Sequence, residues 1–340
     1  RTVACKNCRA TIPLLKTRWL CKKNAKRVLL AMEPNSDKTG VMFGVQKEVP
    51  IVGANGAARR EHDKRIGAGT MSRTGVQCPC CPTIMTMEDI RLESRAGRLA
   101  MAMTAVVVDG REGKEYRLPT ELELCCAVDA EREVPKVFAD IPFGLPTEPT
   151  PKAGVGASRA FSVDLYGIDQ WNKLFTPRQL VALGTLTRSV RELTQKGASA
   201  ECAESWIMHA IPYLALAIDR VANRGSVLCI WNMPAEKIEQ TFSRFALPIL
   251  WDFAEANCLG DASGGFLGEI EWVSAVLEHV ASATRLIPTP QVLCQSAIGL
   301  DRANMDVVVT DPPYYDAIPY SDLMDFFYIW LRRSLSGQSP

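Results

Sequence analysis

Near its C-terminal end the chain reads Val307-Val308-Val309-Thr310-Asp311-Pro312-Pro313-Tyr314. Pro312 and Pro313 have no backbone N–H, so they cannot extend a sheet ladder and they stiffen the corner. That corner presents the Asp311 carboxylate, the Pro312 carbonyl and the ring of Tyr314. Such a set suits a planar base carrying an exocyclic amine. Asp311 and the Pro312 carbonyl can each accept one of the two amine hydrogens. Accepting both draws the nitrogen out of conjugation and frees its lone pair to attack a methyl donor. Tyr314 can stack on a base withdrawn from its duplex, which enzymes acting on bases require. Tyr315, Asp316 and Tyr320 flank the same corner. A turn with a helix-capping acid after a core strand would use the same residue types.

A second set could hold a metal. Cys5-Lys6-Asn7-Cys8 and Cys78-Pro79-Cys80-Cys81 each place two thiols at knuckle spacing. Two knuckles supply four thiolates, enough for a closed tetrahedral Zn2+ site on Cys5, Cys8, Cys78 and Cys81. Sixty-nine residues separate Cys8 from Cys78, against the roughly 15–20 usual between such pairs. The intervening chain must therefore leave and return. Cys21 and Cys80 are alternative ligands. Cys202, Cys229, Cys258 and Cys294 sit in apolar surroundings and read as buried thiols.

A third set is basic. Residues 1–118 hold 22 Lys/Arg against 11 Asp/Glu, whereas residues 191–340 hold 10 against 18. The formal net charge of +1 conceals this asymmetry. A basic N-terminal part on an otherwise acidic chain suits phosphates. Trp19 stands among Lys22, Lys23, Lys26 and Arg27, a grouping able to combine phosphate contact with stacking or to form part of a core. Residues 53–77, with Arg59 and Arg60, read as a mobile basic loop.

These residues need elements to position them. The β-branched run 307–309 predicts a buried strand, with a second strand at 292–297 before it. Open α/β sheets place ligands at the C-terminal edge of such strands. Strands are also predicted within 41–52 and at 99–108, with a turn at Asp109-Gly110. Helices are predicted at 85–92, 120–131, 176–196, 200–223, 234–246, 266–283 and from Ser321 onward. Thr176-Pro177 supplies an N-cap with Pro at the first helical position. The Pro/Gly-rich stretch 141–158 predicts a linker.

Composition bounds the rest. With 340 residues, 47% apolar and 23% charged, the chain can bury two or three cores. No apolar run reaches the length of a membrane span, so no membrane role is expected. Twelve cysteines without a secretion signal point to a reducing, cytoplasmic compartment.

Several stretches together resemble adenine-specific DNA methylases that carry an inserted zinc ribbon. They are Arg1-Thr2-Val3, the Cys5/Cys8 knuckle, Ile12-Pro13-Leu14-Leu15, and Trp19-Leu20 ahead of Lys22-Lys23. Further on they are Leu174-Phe175-Thr176-Pro177-Arg178-Gln179-Leu180, Ala246-Leu247-Pro248, Trp251-Asp252-Phe253-Ala254-Glu255, Thr310 to Tyr315, and Asp325 to Leu331. The resemblance implies an α/β fold: a partial Rossmann-like, S-adenosylmethionine-dependent methyltransferase core with an inserted zinc-ribbon region and a helical region. It divides the chain into a ribbon and basic insert (1–118), a helix and linker (119–174), a helical region (175–284) and part of the core (285–340). It implies methylation of the exocyclic amine of adenine in double-stranded DNA, with S-adenosylmethionine and Zn2+ as cofactors. Asp311 and Pro312 would polarise the amine, with Pro313 in the same corner, and Tyr314 would hold the flipped base. Partner proteins of a phage-defence or restriction–modification system follow from the same resemblance. The family's glycine-rich cofactor turn has no counterpart here, so no residue is assigned to S-adenosylmethionine and the chain reads as an internal fragment. Other readings are methylation of cytosine, RNA or a protein glutamine, a zinc-dependent nucleic-acid-binding module without activity, and a truncated remnant.

Overall fold

The structure, a computed structural model, describes residues 1–199, 205–288, 290–296, 298, 306–312 and 314–337. The N-terminal part is built from short antiparallel strands: β1 (Thr2–Ala4), β2 (Thr11–Pro13), β3 (Trp19–Lys22), β4 (Arg27–Pro34) and β5 (Val41–Gln46). Helix α1 (Gly56–Ile66) follows, then β6 (Gly75–Gln77), β7 (Ile84–Thr86), α2 (Met87–Arg95), β8 (Val106–Gly110) and β9 (Gly113–Arg117). The remainder is mainly helical: α3 (Glu121–Phe138), α4 (Pro177–Ser199), α5 (Ser205–Arg224), the small hairpin β10 (Trp231–Asn232) and β11 (Lys237–Ile238), α6 (Phe266–Thr284) and α7 (Tyr320–Leu335).

β3, β4 and β5 form a meander, and β1–β2, β6–β7, β8–β9 and β10–β11 are separate hairpins. The fold is therefore mixed α/β, and every strand pair among the described residues is antiparallel. The parallel sheet of a Rossmann-like core is not formed among them. Val307, Val308 and Val309 belong to no strand and are 76%, 64% and 90% exposed. Val292 and Leu293 are likewise irregular and exposed, and Ala297 lies outside the described residues. The physical reason is that β-branched residues favour a pleated, half-buried surface, and no neighbouring strand among the described residues makes one.

Two glycines explain how the chain between the knuckles returns. The Trp19 indole N–H donates to the Asp63 carbonyl at 3.0 Å, locking α1 against β3. A side chain at Gly67 would collide with that indole, and one at Gly69 would collide with the Leu15 carbonyl. Met71 N–H then donates to the Leu15 carbonyl at 2.9 Å, which brings the chain back beside its departure point. Residues 56–66, expected as part of a mobile loop, are helical instead. Asn55 caps Ala58 N–H at 2.9 Å, and Ala, Arg, Glu and Lys are good helix formers that outweigh the flanking glycines.

The helical part packs around aromatic residues. Phe175 stacks on Phe326 at 5.7 Å between centroids and meets Trp330 edge-on at 5.3 Å. Capping boxes start α3 at Thr120 and α4 at Thr176, the latter with Gln179 Oε1 accepting from Thr176 N–H at 2.8 Å. Gly184 lies against Val137 and Phe138, so α3 and α4 approach closely. The 141–158 stretch is a packed buttress rather than a linker. Fully buried Arg333 donates to the Gly144 and Phe143 carbonyls at 2.7 and 3.2 Å and pairs with Glu148 at 2.9 Å.

The two parts are joined by polar straps. The Arg1 amino group donates to the Trp251 carbonyl at 2.8 Å, and the Trp231 indole donates to the Leu20 carbonyl at 2.8 Å. Buried Glu236 receives Lys23 at 2.5 Å, Lys26 at 2.7 Å and the Tyr116 hydroxyl at 2.8 Å. The helix expected at 234–246 is absent. Glu236 has a φ of +50°, a left-handed turn conformation, and the β10–β11 hairpin occupies that stretch. The apolar spacing there serves burial from turns.

Replacing Arg333 by Ala strips the Gly144 and Phe143 carbonyls of their donor. A loss of about 3–5 kcal/mol is expected in urea unfolding. Burial pushes the Glu236 carboxyl up, but Lys23, Lys26 and Tyr116 outweigh it and bring it down to about 2. A depressed carboxyl stabilises the fold above its unfolded value and loses that contribution as pH falls through the folded one. Glu236→Gln is therefore expected to lower the melting temperature at pH 7, with the gap to wild type closing as pH falls from about 4.5.

Candidate functional site

Each cysteine pair lies in the turn of an antiparallel hairpin. Between β1 and β2, Cys5 N–H donates to the Ala10 carbonyl at 2.8 Å and Arg9 N–H to the Cys5 carbonyl at 3.1 Å. Arg9 takes a φ of +62° to close this turn. Between β6 and β7, Cys78 N–H donates to the Thr83 carbonyl at 3.0 Å. Gly75, at φ +150°, lies so close to the Met85 carbonyl that a side chain would collide with it.

The four sulfurs converge, all within 4.8 Å of one another. Cys5 Sγ lies 3.8 Å from Cys81 Sγ, and Cys8 Sγ 3.7 Å from Cys78 Sγ. A tetrahedron with Zn–S bonds of about 2.3 Å has edges of about 3.8 Å. A disulfide would need about 2.05 Å. The donor set and its spacing fit a four-thiolate structural zinc site. Cys21 Sγ instead donates to the Lys26 carbonyl at 3.5 Å, and Cys80 Sγ to the Gly40 carbonyl at 3.2 Å. Neither joins the cluster.

Residues around the sulfurs set their basicity. Burial pushes the Cys78 thiol up to about 12. The Thr83 hydroxyl and amide pull Cys81 down to about 6. Asn7 Nδ2 reaches Cys81 Sγ at 3.8 Å, and Lys6 pairs with Asp89 at 2.7 Å, tying the first knuckle to α2. Sequence reasoning did not single out Asn7 or Thr83, although each lies inside or next to a knuckle.

The expected nucleic-acid residues separate into two groups. Trp19 is buried, with its indole spent on Asp63, so it is core and not an accessible stacking platform. Buried Arg27 pairs with Asp63 and donates to the Val49 carbonyl at 3.0 Å, while Lys22 reaches Asp63 at 3.1 Å. Lys23 and Lys26 are held on Glu236. Arg59 and Arg60, by contrast, lie on the open surface of α1 with no ion pair among the described residues.

In the Asp311 corner, Asp311 is exposed and Tyr314 is 69% exposed. Among the described residues neither side chain has an ion pair or hydrogen-bond partner. Pro313 lies outside the described residues. Tyr315 is exposed, and Asp316 packs against Gly156. Two clefts of about 270 and 300 Å³ are present, one beside α4 and one beside β2 and β5, and neither is lined by residues 311–314. The glycine-rich stretch before α6 closes on itself, with Gly265 N–H on the Ala262 carbonyl and Phe266 N–H on the Cys258 carbonyl. It has no free cradle for a phosphate or ribose. That stretch therefore assigns no residue to S-adenosylmethionine. Among the thiols expected to be buried, Cys229 is buried, Cys258 half-buried and Cys294 exposed, and Cys202 lies outside the described residues. The described helices include none long and apolar enough to cross a membrane.

Compared with protein-family models, curated proteins and solved structures, the chain matches none.

Metal analysis is expected to find one zinc per chain, lost on Cys5→Ser or Cys78→Ser. Because Cys78 carries its proton at neutral pH and the metal must displace it, zinc affinity should fall as pH is lowered. Competition with a chromophoric chelator between pH 8 and 6 measures the trend, and a flat profile contradicts it.

Proposed function

We propose that this chain is the zinc-bearing part of an amino-group DNA methyltransferase acting on adenine. The observation that carries the reading is the Asp311–Tyr314 corner. Its carboxylate and ring face solvent and are not consumed by the fold. In this reading the Asp311 carboxylate and the Pro312 carbonyl accept the two amine hydrogens of a flipped base. Tyr314 covers one face of that base. Holding the amine in this way is orientation plus electrostatic tuning, and both act before any bond is made. The methyl donor would be held by residues other than the described ones. The four-thiolate site would fix the two N-terminal hairpins as one rigid body and take no part in the transfer. Partial membership of a Rossmann-like core and the zinc-ribbon assignment belong to the same proposal.

A second reading, a zinc-dependent nucleic-acid-binding module without activity, is favoured by the exposed valines 307–309, which form no strand. Labelled methyl transfer to duplex DNA, carried out with this chain inside a full-length protein that binds S-adenosylmethionine, separates the two. Asp311→Ala is expected to reduce incorporation at least 100-fold while zinc content stays at one equivalent. Unchanged incorporation would reject the role of Asp311. No incorporation by the wild-type protein supplied with S-adenosylmethionine would favour the module.

A further inference from the structure

Helix α1 has a division of labour that net charge hides. Asp63, His62 and Ile66 face the body, with Asp63 taken by Arg27 and Lys22 and Ile66 packed beside Trp19 and Val49. One hundred degrees per residue puts Arg60 and Lys64 together on the outward side, with Glu61 and Arg65 beside them. Arg60, Lys64 and Arg65 are exposed, and their side chains have no ion pair or hydrogen bond among the described residues. Arg59, also exposed, spends its Nε on the Gly53 carbonyl at 3.2 Å.

The outward side has no apolar anchor. Ala57 and Ala58 are its only non-polar side chains, and both are small. A protein partner needs a desolvated apolar or aromatic centre, which this surface does not provide. A polyanion needs only clustered cations and room to approach. The basic residues around Trp19 are already engaged within the fold, Lys22 and Arg27 paired with Asp63 and Lys23 and Lys26 with Glu236.

We propose that α1 is the element that grips the phosphate backbone of duplex DNA, through Arg60, Lys64 and Arg65. Lys22 and Arg27 position the helix by holding Asp63. The proposal rests on the DNA-substrate reading above, but it concerns binding and is independent of methyl transfer.

The test is fluorescence anisotropy of the 340-residue chain with a labelled duplex of random sequence across a sodium chloride series. Removing one cation that neutralises a phosphate should make the slope of log affinity against log salt shallower by about 0.9. Arg60→Gln/Lys64→Gln/Arg65→Gln is expected to flatten the slope by about 2.7, with zinc content and melting temperature unchanged. Lys23→Gln/Lys26→Gln should lower the melting temperature and leave the slope alone. Should the triple variant fold poorly, Arg60→Gln and Lys64→Gln are each expected to flatten the slope by about 0.9. An unchanged slope in well-folded α1 variants that still bind DNA overturns the role of α1 and leaves DNA as substrate. No binding by the wild-type chain overturns both.

Discussion

Four thiols brought within 4.8 Å of one another are the constraint on which the N-terminal part depends. As thiolates, four such groups repel one another unless a cation lies among them. As thiols, two of them leave polar sulfur in an apolar setting, Cys5 and Cys78 being buried in the cluster that holds Val3, Ile12, Val76 and Met85. A metal held at tetrahedral distances would relieve both, and the spacing of the four sulfurs is compatible with one. The cost of bringing the sulfurs together falls on the chain between them. That chain comes back only because Gly67 leaves room for the Trp19 indole and Gly69 for the Leu15 carbonyl.

The same region separates nominal charge from usable charge. A surplus of cations over residues 1–118 suggests a broad phosphate surface. Two buried carboxylates from distant parts of the chain, Asp63 and Glu236, take up most of the cations near Trp19. Those cations serve cohesion. Lys23 and Lys26 tie the strands to the β10–β11 turn, and Arg27 ties them to α1. Among the described residues, the outward face of α1 gathers Arg60, Lys64 and Arg65 in one exposed cluster, a smaller surface than the count of basic residues implies.

The helical part shows how a buried cation can have its donors met. Arg333 is fully buried, yet its donors meet carbonyls and Glu148. Most of those acceptors belong to the Pro/Gly-rich stretch 141–158. A composition that reads as a flexible connection is rigid here because its backbone acceptors are occupied. The aromatic face of α7 covers the same buttress, so the helix after the Asp311 corner is anchored firmly while the corner itself is open.

Local chemistry was legible from the sequence. The knuckles follow from cysteine spacing, and the start of α4 follows from the capping residue Thr176 with Pro177 behind it, because each depends on groups a few residues apart. The β-branched and apolar residues that mark β5 and the apolar spacing of α7 were readable for the same reason. Only the tertiary structure decided which four cysteines converge, that Cys21 and Cys80 stay out, that Trp19 is core, and which cations are spent on Asp63 and Glu236. Valines 307–309 show the limit most clearly: β-branched residues state a preference for a strand, but a strand exists only where other strands lie beside it. Such partners come from far along the chain, and their positions are set by packing that no short window of sequence contains.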